Sequence, residues 1–154
     1  VTADRLGFLL ARHGQTMKLR LREALSVCGL GPRHGAILLR LAQAGSISQQ
    51  ALLEALTVDA STLVAILNDL ERDALTERRR DPTDRRRHIV EITPEGRSAA
   101  CAVEHAVADV EREAFADLDA EEIAQLHTLL ARVHVRPTTE PGAGTECAPG
   151  CAPE

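Results

Sequence analysis

Residues 76–94 read Thr76-Glu77-Arg78-Arg79-Arg80-Asp81-Pro82-Thr83-Asp84-Arg85-Arg86-Arg87-His88-Ile89-Val90-Glu91-Ile92-Thr93-Pro94. Ile89, Val90 and Ile92 are β-branched, and Asp81-Pro82-Thr83-Asp84 has turn chemistry, so the spacing predicts two short antiparallel strands, 76–80 and 88–92, around a turn. Residues 77–88 carry six arginines against only three acids, Glu77, Asp81 and Asp84. So many cations on one protruding hairpin repel one another unless acids or an external anion relieve them.

Two short helices precede the hairpin. Ser48 reads as an N-cap, with Ile47 before it able to staple onto Leu52, and the helix covers about 49–55. Asp59 repeats that grammar with Val58 and Leu63, and Leu63, Leu67 and Leu70 form an inward stripe. Ser61, Thr62, Ala65 and Asn68 are left for other faces. A helix pair followed by an arginine-flanked hairpin predicts a winged helix-turn-helix, whose second helix reads the major groove.

Longer helices flank this lobe. Over residues 4–27, Leu6, Leu10, His13, Met17 and Leu21 recur at helical spacing, with Leu9 and Leu25 widening the stripe before Gly29 and Gly31. Pro32 opens a second helix with Ile37, Leu38 and Leu41 inward, up to Gly45. Thr93-Pro94 opens a long helix with the stripe Ala99, Val103, Val107, Val110 and Ala114. Asp119 and Glu122 form a capping box for a last helix facing inward through Ile123, Leu126, Leu130 and Val133. The fold class is therefore mainly α with a small β part (α+β): a winged helix-turn-helix with long N- and C-terminal dimerisation helices. The expected organisation is one domain over 1–136, its DNA-binding lobe at about 32–93, and a flexible tail over 137–154 with four prolines and three glycines.

Composition narrows the classes. The chain has 154 residues, 44% of them hydrophobic and 27% charged, with two phenylalanines as its only aromatics. That excludes an aromatic stacking platform for single strands. No stretch approaches 18 consecutive apolar residues and the start lacks a signal-peptide pattern, so the expected location is cytoplasmic, without a membrane partner. The net charge of -5 conceals a split. The hairpin is basic, while residues 95–122 carry nine acids and two arginines. Phosphate attraction follows the local field. Cys28 and Cys101 are expected to be ordinary buried or half-buried side chains, and Cys147 and Cys151 in the tail have no nearby histidine to make a zinc site. No phosphate loop, metal cluster or nucleophile motif stands out, which predicts a non-enzyme without cofactor or metal.

The surplus apolar stripes at both ends of the chain predict a homodimer, which would set two reading helices roughly 34 Å apart for a palindromic site. Arg85, Arg86 and Arg87 are the first candidates for minor-groove and phosphate contact, followed by Arg78 and Arg80. Ser61, Thr62, Ala65 and Asn68 are candidates for the major groove, and Gln49 and Gln50 for backbone phosphates. His13 sits on an apolar stripe beside Arg12, where either side chain could bind a carboxylate ligand.

From about Arg33 to Arg97 the chain resembles the MarR family of bacterial transcription regulators, and the flanking helices extend the match to roughly residues 5–135. The carriers are Asp81-Pro82-Thr83-Asp84-Arg85-Arg86, Ile92-Thr93-Pro94-Glu95-Gly96 and Leu70-Glu71-Arg72-Asp73-Ala74-Leu75. Ala74 replaces a usual glycine, and Ala65 stands where relatives often have arginine. The resemblance implies a homodimer on pseudo-palindromic double-stranded DNA. It further implies a repressor, released by a small phenolic or aromatic carboxylate effector. It assigns Arg85 to the minor groove and Asp84 to holding the wing. Two alternatives use the same scaffold: a thiol redox sensor, for which Cys28 is the nearest candidate, and a protein-interaction dimer that binds no DNA.

Overall fold

The computed structural model describes residues 5–56, 58–84 and 87–134. Their elements run α1 (Leu6–Ser26), α2 (Pro32–Ala44), β1 (Ser46–Ser48), α3 (Gln49–Leu56), α4 (Ala60–Arg72), β2 (Thr76–Arg80), β3 (His88–Ile92), α5 (Pro94–Ala114) and α6 (Ala120–Ala131). The chain divides into two compact units, the first ending at Ala116 and the second beginning at Asp117.

In the first unit, Ile37, Leu38 and Leu41 of α2, Leu52 of α3, Leu67 and Leu70 of α4, Val90 of β3 and Val103 of α5 are all 0% exposed. The helix-turn-helix, sheet and α5 thus share one core. The antiparallel sheet has the order β1-β3-β2, with Thr76 opposite Ile92 and Arg80 opposite His88. β1 is an addition to the predicted hairpin. Three residues are too short for a period-2 signal, yet Ile47 pairs with Val90 and packs on the core.

Helix α1 runs along α5 and is tied to it by an Arg20–Glu113 ion pair. Its stripe is only partly covered. Leu25 is buried and Leu21, Met17 and Leu9 are half-buried, while Leu6 and Phe8 are 79% and 62% exposed. On α5 the inward line passes through Gly96, Ala100, Val103 and Val110, with Ala99 and Val107 half-buried against the core beside it, while Ala114, expected on the stripe, is exposed. Cys28 and Cys101 are exposed, against expectation, because the first sits in the turn after α1 and the second on the outer side of α5. In the second unit, α6 starts with the predicted capping box: Asp119 accepts from the Glu122 backbone N–H and Glu122 accepts from that of Asp119. No residue of α6 is buried, and Ile123, Leu129, Leu130 and Val133 are exposed. Among the described residues, no single helix is long and apolar enough to cross a membrane.

The wing is fastened where α4 ends. The Leu75 N–H donates to the Leu70 carbonyl (2.8 Å) and the Ala74 N–H to that of Glu71 (2.9 Å), a Schellman closure. Such a closure needs a left-handed residue, and Ala74 takes it at φ 56°, whereas Gly29 serves after α1 at φ 69°. Thr93 then caps α5 by accepting from the Gly96 N–H (2.9 Å) and donates its hydroxyl proton to the Ala74 carbonyl (2.7 Å). Gly96 lies so close that a Cβ there would overlap the Leu75 carbonyl oxygen. Two stability changes of opposite sign are expected in urea unfolding. Ala74→Gly removes about 1–2 kcal/mol of left-handed strain against about 0.5–1 kcal/mol of added chain entropy, a net gain of up to about 1.5 kcal/mol. Gly96→Ala forces the α4–α5 junction apart and loses about 2–3 kcal/mol.

Candidate nucleic-acid interface

Helix α4 is oriented by its apolar side. Leu63, Ile66, Leu67 and Leu70 are buried, which turns Ser61, Val64, Ala65 and Asn68 to solvent. Its N-terminus is capped by Asp59, whose carboxylate accepts from the Thr62 N–H (2.8 Å), the Thr62 hydroxyl (2.6 Å) and the Ser61 hydroxyl. The hydroxyl donors of Ser61 and Thr62 hold the Asp59 carboxyl well below the usual carboxylate range. Both candidate hydroxyls therefore spend their protons on the cap and offer lone pairs outward, as acceptors.

The acidic end of α4 is neutralised locally. Asp69 takes contacts from His34 (3.4 Å) and Arg72 (2.9 Å), and Arg72 also reaches Asp73 (3.5 Å). The hydrogen bond from His34, with that from Arg72, lowers the Asp69 pKa. Glu71 is claimed by Arg78: the guanidinium Nε donates to it at 2.9 Å and Nη2 at 2.5 Å. That bond lowers the Glu71 pKa and raises that of Arg78. Arg78 Nη2 also donates to Asn68 Oδ1 (2.6 Å), so Arg78 and Asn68, both predicted contacts, form one assembly across α4 and β2.

On the hairpin, Arg79 lies between Glu77 (3.3 Å) and Glu91 (3.2 Å). Arg80 is exposed and has no ion pair among the described residues. Arg87 contacts Asp84 (3.4 Å) and keeps a 72% exposed side chain. The turn is organised by Asp81, which accepts from the Thr83 N–H (2.7 Å) and hydroxyl (2.6 Å), and these bonds lower its pKa. Arg85 and Arg86 lie outside the described residues, as do Cys147, Cys151 and the tail.

The wing base meets the start of α3. Gln49, Arg78, Arg80 and His88 line an open groove of about 460 Å³. Gln49, Gln50, Arg87, His88 and Ala60 share in lining a second, of about 690 Å³. Gln50 donates its amide to Glu54 (3.0 Å), leaving Gln49 as the glutamine that lines both grooves. His88 is a further polar side chain lining both grooves that the sequence pattern marked only as a strand end. Its position opposite Arg80 in the hairpin register is the signal that could have found it. Arg12 and His13 lie elsewhere, exposed on α1, with Arg12 Nη2 3.4 Å from His13 Nε2.

Because the folded Asp59 pKa is depressed, its contribution to stability is complete above the unfolded value near 3.8 and is lost as pH falls through the lower folded value. Thermal melts of the protein and of Asp59→Ala should differ most at neutral pH and converge on acidification below that range.

The MarR family sequence model matches residues 30–88. A protein described as a transcriptional regulatory protein for the hcr operon in Thauera aromatica is 35% identical over 141 residues, covering 90% of this chain and 84% of that protein. The multiple antibiotic resistance protein MarR of Salmonella typhimurium is 30% identical over 130 residues, 83% of this chain and 90% of its own. Among solved structures, a cysteine-to-serine mutant of Escherichia coli MarR complexed with operator DNA superposes with a TM-score of 0.73 at 28% identity, covering 82% of this chain and 91% of that one. CouR from Rhodococcus jostii, bound to p-coumaroyl-CoA, gives 0.77 at 27% identity, covering 88% and 99%.

Proposed function

The chain belongs to the MarR family of DNA-binding transcription regulators, and on that premise we propose that it acts as a homodimeric repressor of pseudo-palindromic operators, released by a small aromatic or phenolic ligand. The observation that carries this reading is that Arg78, bonded to Asn68 on the solvent face of α4, lines the groove at the wing base together with Gln49, Arg80 and His88. In this reading Ser61, Thr62, Ala65 and Asn68 enter the major groove, with Ala65 and Val64 offering apolar contact to thymine methyls. Arg80 and Arg87, with Arg85 and Arg86, meet the sugar–phosphate edge and minor groove. Gln49 and Gln50 abut the backbone.

Dimerisation is supported by apolar side chains left in water. Leu6, Phe8, Leu10 and Leu19 on α1 are exposed, and so are Ile123, Leu129 and Leu130 on α6. This exceeds what isolated surface leucines explain, and a second copy is the symmetric means of covering it. Release by a ligand is supported by the p-coumaroyl-CoA held by the CouR relative. In this reading Arg12 and His13, neighbours on α1, are the side chains that would meet the ligand's anionic group.

A mobility-shift titration against the protein's own upstream region tests the reading. The protein should sediment at twice the 16.6 kDa chain mass and shift a specific duplex in the presence of excess unrelated DNA. Arg80→Ala should weaken binding to specific and unrelated duplexes about equally and reduce the slope of log affinity against log salt by about one per subunit. A monomer with no sequence preference would contradict the proposal.

A further inference from the structure

Asn68 stands on the exposed line of α4 that begins with Ser61 and continues through Ala65, at spacings of four and three. Its amide orientation is dictated by its neighbour. A guanidinium has donors only, so the side-chain oxygen must face Arg78 and the NH2 group must turn away from it. Arg78 is itself immobilised: the Glu71 carboxylate accepts from its Nε, its Nη2 and its backbone N–H, and the two side chains are only 25% and 28% exposed. Nη1 of Arg78 has no partner among the described residues, and Arg78 lines the groove at the wing base.

A free asparagine in the major groove reads adenine with both ends of its amide, the oxygen accepting from N6 and the nitrogen donating to N7. Here one of the oxygen's two lone pairs is engaged by a cation fixed on β2, which draws that oxygen toward the strand, and the groups with no partner among the described residues are donors, Asn68 Nδ2–H and Arg78 Nη1–H. Guanine is the base whose major-groove edge shows two acceptors, N7 and O6, and no donor. We propose that Glu71, Arg78 and Asn68 form a specificity device in which Glu71 is a positioning residue, holding Arg78 so that the Asn68–Arg78 pair selects guanine over adenine at one position of each half-site. This deepens the DNA-reading assignment of α4 and rests on it. It also gives a chemical use to a recognition helix with alanine at position 65, since the missing guanidinium is supplied from β2.

The test is selection from a randomised duplex library by the full-length protein and by Asn68→Ala, Glu71→Gln and Arg78→Lys, with melting curves confirming that each variant is folded. The wild-type half-site should contain a guanine whose replacement by adenine weakens binding roughly tenfold or more. Asn68→Ala and Glu71→Gln should select the rest of the half-site unchanged while discrimination at that base falls to within about threefold. Arg78→Lys keeps the charge and loses the fork, and should behave like Glu71→Gln. A purely structural role for the three residues would lower affinity for all sequences alike and leave base preference intact. That outcome, or adenine preferred by the wild type, overturns the device while leaving the DNA-reading assignment standing. Selection of no sequence by the wild type overturns both.

Discussion

Four side chains of α4, Leu63, Ile66, Leu67 and Leu70, are sealed against α2, α3 and the sheet. Rotating the helix about its axis would expose some of them, and each buried side chain of this size contributes about 1.5–3 kcal/mol when removed from water. Their combined burial therefore fixes which residues α4 shows to solvent. Ser61, Ala65 and Asn68 are presented because the opposite face has nowhere else to go. The wing inherits its position from the same helix, through the Schellman closure at Leu70–Leu75 and the Thr93 bridge to Ala74.

Electrostatics then determine which surface charges can act. Of the basic residues around the wing, Arg79 is committed to Glu77 and Glu91, and Arg78 to Glu71. The exposed Arg79 pairs contribute little to stability, commonly below about 1 kcal/mol, but each of these pairings lowers the positive field available to a phosphate. Arg80 and the exposed Arg87 supply the cations that line the grooves beside the start of α3. The acids near the end of α4 repel phosphate less than the sequence alone suggests, since Arg72, His34 and Arg78 already screen them.

Much of this was legible in the chain itself. The helical spacing of Leu63, Leu67 and Leu70, the caps at Ser48, Asp59, Thr93 and Asp119, and the β-branched run at 89–92 are local signals, and each produced the element expected of it. The misses depend on contacts between distant residues. β1 exists because β3 offers it an edge, and the full burial of Ala100 beside a half-buried Ala99, with Ala114 left exposed, follows the rotation α5 adopts against α2 and α1. At the site, spacing placed Asn68 and Arg78 on the same lobe but could not show that they bond each other, or that Glu71 organises both. Composition likewise gave no means of separating Arg79, which is paired, from Arg80.

Backbone-amide NMR with a duplex added in steps reads the surface most directly, because it needs no assumption about which side chain makes which contact. The shifts should concentrate on residues 49–50, 60–68 and 80–88, spreading along α4 and the wing and leaving the middle of α2 unaffected. Changes centred instead on α1 or the outer side of α5, with α4 silent, would contradict the assignment of that helix as the reading element.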